Sequence, residues 1–137
     1  MNFAYPYTAT PQAPGGFFVR FVDIEVAITE GDTPEDAAFN AAEVLTGVLA
    51  YRLDKGQAIP APSEAAGNPV ASPSAAVQAV MVLRDARGDR PIADLARGLN
   101  TSWAAAQRLD DPHHWPSLKQ LDRAARVLGR RLVLSME

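Results

Sequence analysis

The chain has 137 residues, 47% of them hydrophobic and 21% charged, so it can bury a core and has room for two small domains. It has no cysteine, which excludes a disulfide framework and a thiolate metal site, and no apolar run of membrane-spanning length. The formal net charge of −3 is unevenly shared: residues 1–69 hold three basic and nine acidic residues (net −6), residues 70–137 ten basic and seven acidic (net +3). An acidic half favours a basic protein partner and a mildly basic half suits phosphate.

No basic patch followed by an apolar run opens the chain, so a cytoplasmic protein without a signal peptide is expected. Phe3 to Thr10 is short, aromatic and β-prone, and Pro11 to Gly16 breaks it. In the run FFVRFVDI, Phe17, Val19 and Phe21 alternate with Phe18, Arg20 and Val22, which predicts a strand with one fully apolar face. EVAITEGDT supplies a third strand, with Val26 and Ile28 expected on one face. Three strands in close succession argue an antiparallel meander.

Thr33-Pro34-Glu35-Asp36 reads as a helix start: a capping threonine, proline at the first position, and acids where the helix dipole favours them. The helix runs to Lys55 and Gly56, with Ala38, Ala41, Ala42, Leu45, Val48, Leu49 and Arg52 expected along its inner side. At about 1.5 Å per residue it spans roughly 30 Å, enough to cover a three- or four-stranded sheet. Gln57 to Pro73 is rich in proline, alanine, serine and glycine and reads as an extended connector, with Ala58-Ile59 as a candidate edge strand. The expected division is residues 1–57, a linker over 58–72, and residues 73–137.

In the second part, Ser72-Pro73 is expected to open a helix that stops at Gly88. The stretch IADLARGLNTSWAAAQRL, Ile92 to Leu109, then reads as two short helices joined by a tight turn. Ile92, Leu95, Ala96 and Leu99 form one apolar face. Asn100 tolerates the left-handed conformation of a helix-ending turn, and Thr101 can cap the next helix. On that helix Ser102, Ala105, Ala106 and Leu109 are expected to face inward, and Trp103, Ala104, Gln107 and Arg108 outward. This is the pattern of a helix-turn-helix whose second helix enters a major groove. Pro116-Ser117 opens a last helix, with Ser117 and Gln120 at capping-box spacing, a stripe of Leu118, Leu121, Ala125 and Leu128, and a stop at Gly129. RLVLSME, Arg131 to Glu137, reads as a short terminal strand and a place for subunit pairing.

The order LRDARG…IADLARGLNTSWAAAQRL…PSLKQLDRAARVLG resembles the lambda-repressor-like DNA-binding fold over roughly residues 74–129. Asn100 stands where many members have glycine, and Trp103 is large for a groove-facing position. The first half, with FVRFVDI and AITEGDTPEDAAFNAAEVL (Ala27 to Leu45), resembles the HicB antitoxin family. The resemblance implies an α+β chain: a partial RNase-H-like antiparallel sheet with one long helix, followed by an all-α helix-turn-helix domain with a short C-terminal strand. It also implies a type II toxin–antitoxin role, in which the first domain inhibits a HicA-type, mRNA-cleaving toxin and the second represses the operon at its operator. One helix-turn-helix reads one half-site, so a homodimer or homotetramer is expected.

Asp23, Glu25, Glu30 and Asp32 invite a two-metal nuclease reading, but acids at strand ends and helix starts are common for solubility and capping. The favoured reading is structural or partner-facing, with negative charge offered to a basic toxin; no catalytic residue, metal or cofactor is expected. His113 and His114 are adjacent and have no evident third ligand, so a loop role is expected, and Trp115 is read as a core or hinge anchor. Arg108 suits bidentate reading of guanine, with phosphate contact as the plainer alternative. Thr101, Ser102, Trp103, Ala104 and Gln107 complete the expected DNA face, and Arg87, Arg90 and Lys119 flank it as phosphate contacts. The alternative to an antitoxin is a stand-alone helix-turn-helix regulator with a ligand-sensing first domain. An adjacent reading frame encoding a small basic toxin would separate the two.

Overall fold

In the computed structural model, which describes residues 1–137, the alternating N-terminal runs become two strands, β1 (Tyr5–Pro11) and β2 (Phe17–Phe21). They pair antiparallel, with Tyr7 opposite Phe21 and Ala9 opposite Val19. β3 (Ile28–Gly31) pairs with the other edge of β2, and β4 (Val70–Ala71) with the other edge of β1, giving the order β3-β2-β1-β4. The period of two sorts the faces as expected. Tyr7, Val19 and Phe21 are buried, while Thr8 and Arg20 face out. The rings of Tyr7 and Phe21 meet at 5.5 Å and 54°, a tilted contact that aromatic pairs favour.

The third strand differs from expectation. It begins only at Ile28, because the chain first turns, with the Ala27 N–H bonded to the Ile24 carbonyl at 3.0 Å. Ile24 and Ala27 are therefore buried, and Val26 and Ile28 stay exposed.

α1 (Pro34–Asp54) starts where the sequence places it. Thr33 caps it by accepting from the Asp36 N–H, and Glu35 and Asp36 lie in its first turn. Its buried stripe is Ala37, Ala41, Leu45, Leu49 and Leu53, with Ala50 beside it. Ala38, expected inside, is exposed, and Ala42, Val48 and Arg52 are half-buried. The rotation is set by contact with β3: a Cβ built on Gly31 would lie 2.3 Å from the Ala37 nitrogen, so the strand end and the first helical turn touch backbone to backbone.

Residues 57–73 do not stand apart as a connector. The Tyr5 hydroxyl donates to the Pro60 carbonyl at 2.8 Å, and the Tyr7 N–H to the Pro69 carbonyl at 2.9 Å. Ser63 donates from its backbone N–H and its hydroxyl to the Asp23 carboxylate. The added strand is Val70–Ala71, not Ala58-Ile59, and the chain divides into units Met1–Ser74 and Ala75–Glu137.

The second unit contains α2 (Ala75–Arg87), α3 (Ile92–Leu99), α4 (Trp103–Arg108) and α5 (Leu118–Val127). α2 starts two residues later than the Ser72-Pro73 signal suggests and gives way to Gly88, whose φ of 57° ends the helical path. Leu83, Leu95, Ala96, Ala106, Leu109, Ala124 and Leu128 form the core, with Ile92, Leu99, Leu121 and Val127 packed around it. A Cβ at Gly98 would meet Val127 Cγ1 at 2.3 Å, which measures how closely α3 and α5 cross. α5 carries the expected capping box, Ser117 Oγ accepting from the Gln120 N–H and Gln120 Oε1 from the Ser117 N–H. Leu118, however, is exposed and Ala124 is buried: the first turn of α5 lies beyond the core, and the stripe begins at Leu121.

Arg131 to Glu137 form no strand. The second unit is all helix, so a β-prone run finds no sheet edge within it to pair with. Val133, Leu134 and Met136 are consequently exposed.

Candidate functional site

Two surfaces hold the residues singled out by the sequence. On the helical unit, α3 and α4 are joined through Asn100, at φ 53° and ψ 50°. Its N–H donates to the Arg97 carbonyl at 3.1 Å and the Thr101 N–H to the Ala96 carbonyl at 3.0 Å, so the turn satisfies the last carbonyls of α3. The cap of α4 is Ser102, not Thr101: Ser102 Oγ accepts from the Ala105 N–H at 3.1 Å, while Thr101 sits exposed in the turn. The capping role also takes Ser102 out of the inward set, leaving Ala106 and Leu109 as the buried residues.

The outward face of α4 is as expected. Trp103, Ala104 and Arg108 are exposed and Gln107 is half-buried. Trp103 with Gln107, and Ala104 with Arg108, are spaced four apart and share one side of the helix.

The flanking cations divide. Arg84 Nε lies 2.7 Å from Asp110 Oδ1, and Arg87 approaches the same oxygen at 3.5 Å, both partly buried. Arg87 therefore serves this ion-pair cluster, which joins α2 to the segment after α4. Arg90 bonds back to the carbonyls of Ala86 (2.8 Å) and Arg87 (3.2 Å), closing the end of α2. Lys119 is exposed on α5. Sequence reasoning missed Arg123 and Arg126, which follow Lys119 at helical spacing and are exposed with it. Their i, i+4, i+7 pattern was the available signal. Arg123 also reaches the Leu99 carbonyl at 3.4 Å, beside the turn. His113 lies in the loop after α4, its N–H bonded to Asp111 Oδ1. Trp115 is exposed, so of its two expected roles, core or hinge anchor, it does not fill the first.

On the sheet unit the four acids are dispersed. Asp23 is committed to Ser63. Glu30 accepts from Gln12 Nε2 at 3.0 Å, and its carbonyl from Asn40 Nδ2 at 2.8 Å. Glu25 and Asp32 are exposed. No three of them bring carboxylate oxygens within 4.8 Å of one another, so this geometry does not assemble a two-metal site. Burial, and then the negative charge of Asp23, hold the Tyr5 phenol above its ordinary range.

Residues 4–80 match the model of a family described as the HicB-like antitoxin of bacterial toxin–antitoxin systems. The chain belongs to the HicB-like antitoxin family. That match covers the sheet unit and the start of α2. Relatives extend the likeness across the helical unit. Antitoxin HicB 1 of Photorhabdus laumondii is 30% identical over 138 residues, covering 99% of this chain and 88% of its own length. Antitoxin HicB of Escherichia coli K12 is 30% identical over 135 residues, covering 96% and 98%. Antitoxin HicB 2 of Photorhabdus laumondii is 31% identical over 120 residues, covering 87% and 86%. No helix of this HicB-like chain is long and apolar enough to cross a membrane.

Proposed function

We propose that this protein is the antitoxin and autorepressor of a two-gene system. Its sheet unit binds and inhibits a HicA-type, mRNA-cleaving toxin, and its helical unit holds the operator of its own operon. The role is binding rather than catalysis. The observation that carries the reading is the joining, in one chain, of an antitoxin-family sheet unit to a helix pair whose α4 turns Trp103, Ala104, Gln107 and Arg108 outward. Thr101 and Ser102 lie at the start of α4, where backbone and hydroxyl donors suit phosphate. Lys119 and Arg123 add cations on α5, where Arg126 is paired with Asp122 at 2.9 Å, and Arg90 has most of its donors occupied by carbonyls.

A single α4 reads one half-site, so two copies, or two pairs, act together. The largely exposed Arg131–Glu137 run is the proposed place of pairing, since it lacks a partner strand in its own unit. The acids Glu25, Glu30 and Asp32 give the sheet unit a negative surface toward a basic toxin; Asp23 contributes indirectly, by holding Ser63.

Co-expression with the product of the adjoining reading frame, followed by co-purification, tests the first half. Binding of the full-length protein to its own promoter against a scrambled duplex tests the second. Recovery of a stable complex and a preference for the promoter are the expected results. Failure of both would remove the reading.

A further inference from the structure

Gly47 lies in the interior of α1, where glycine is the least favourable residue after proline. Nothing inside the molecule asks for it. Its φ is not positive, and a Cβ built there would meet nothing within 4 Å. The position is exposed. Gly47 is one of the residues lining an open groove of about 350 Å³, with Val26, Val48, Tyr51, Arg52 and Gln57. Val26 is 66% and Tyr51 56% exposed, so the walls present apolar surface to solvent.

We infer that this groove receives an apolar side chain of a small cationic protein, seated against the α1 backbone over Gly47. A missing Cβ is useful where a second molecule approaches the helix closely, which accounts for a residue that the fold does not require. Charge selects the occupant. Residues 1–74 carry three basic and nine acidic residues, a net of −6 that favours a cationic partner over a second copy of the unit, although Arg52 is the one charged residue of the groove's own lining. Glu43 stands one turn before Gly47 on the same side, and Glu25 precedes Val26. Arg52 and Lys55 hold the other end, with Lys55 Nζ 5.8 Å from the Tyr51 ring centroid. The partner's cations therefore enter from the Glu43 end. The inference rests on the reading of the sheet unit as the toxin-binding part and names its contact.

The test uses the full-length protein and a catalytically inactivated form of the toxin encoded by the adjoining frame, with affinity measured by calorimetry. Gly47→Ala adds a methyl in open space, so its melting temperature rises while its affinity falls by about threefold or more. A purely structural role for Gly47 would not move those two readouts in opposite directions. Gly47→Arg fills the groove and adds a like charge, and lowers affinity by about 100-fold or more, with operator binding unchanged. Full toxin affinity in both variants, where the unaltered protein binds, would overturn the groove and leave the antitoxin reading standing. No binding by the unaltered protein would overturn that reading and the groove with it.

Discussion

The α carbon of Gly31 and the backbone nitrogen of Ala37 stand so close that a Cβ on Gly31 would fall 2.3 Å from that nitrogen and 2.6 Å from the Ala37 α carbon. Both obstacles are main chain in the first turn of α1, so neither can swing aside. The end of β3 and the start of α1 can separate only by lifting the helix from the sheet, and the stripe from Ala37 to Leu53 lifts with it. Gly31→Ala is expected to destabilise the sheet unit by about 3 kcal/mol or more, as overpacking against rigid neighbours does. Chemical denaturation followed by circular dichroism measures it. A loss below about 1 kcal/mol would mean that the helix can shift without cost.

In the helical unit a comparable joint is electrostatic. Asp110 receives Arg84 at 2.7 Å and Arg87 at 3.5 Å, and all three side chains are less than a third exposed. Removing the carboxylate leaves two guanidinium groups in partly buried positions without their anion. Asp110→Ala is expected to cost about 2 kcal/mol, in the range for charged hydrogen bonds, and to loosen the segment that follows α4. Arg84→Ala added to Asp110→Ala should cost less than the sum of the single changes, because the two side chains form one cluster. Strict additivity in that double-mutant cycle would contradict the coupling.

Local chemistry made part of this legible from sequence. Thr33-Pro34 and the Ser117–Gln120 pair mark helix starts because capping is settled within four residues. The alternation around Val19 identifies the buried face of β2 for a similar reason. The rotation of α1 was not legible: an alanine-rich helix offers little contrast between neighbouring faces, and the backbone contact at Gly31 selects Ala37 over Ala38. β4 was hidden because Val70–Ala71 become a strand only through pairing with β1, more than sixty residues away. On the candidate site, the outward face of α4 followed from its period. Asp23 did not, since its partner Ser63 is 40 residues distant. Arg87 looked available because its tie to Asp110 is tertiary, and Arg90 because a surface arginine three or four residues past a helix end can either fold back onto its carbonyls, as it does here, or reach into solvent.

Tyr5 gives the sheet unit a dependence on alkaline pH. The phenol is buried, and its hydroxyl donates to the Pro60 carbonyl at 2.8 Å. Burial first, and the Asp23 carboxylate second, raise its pKa above the ordinary 10.0. A raised pKa means that the folded protein holds the proton more tightly than the unfolded chain. The corresponding stability is fully present below the unfolded value, and is lost as pH rises above about 10 toward the folded value. Tyr7, raised by burial, adds to the same slope. Tyr5→Phe is expected to cost about 1 kcal/mol near neutral pH, from the lost hydrogen bond, and to flatten the alkaline decline. An unchanged decline in the variant would assign the effect elsewhere.

Arg108 ends α4, exposed and four residues after the small, exposed Ala104. On the proposed reading, the small Ala104 would let the helix approach a groove, and the long side chain of Arg108 would reach toward a base edge. A guanidinium bonded to two acceptors of guanine discriminates against other bases, whereas one resting on phosphate binds all sequences alike. Arg108→Ala is expected to weaken binding to the promoter duplex by about 1–3 kcal/mol and to leave binding to a scrambled duplex nearly unchanged. Lys119→Ala should instead weaken both and reduce the salt dependence by about one unit of slope. Fluorescence anisotropy over a range of salt concentrations separates the two patterns. Equal losses on promoter and scrambled DNA for Arg108→Ala would place that side chain on phosphate.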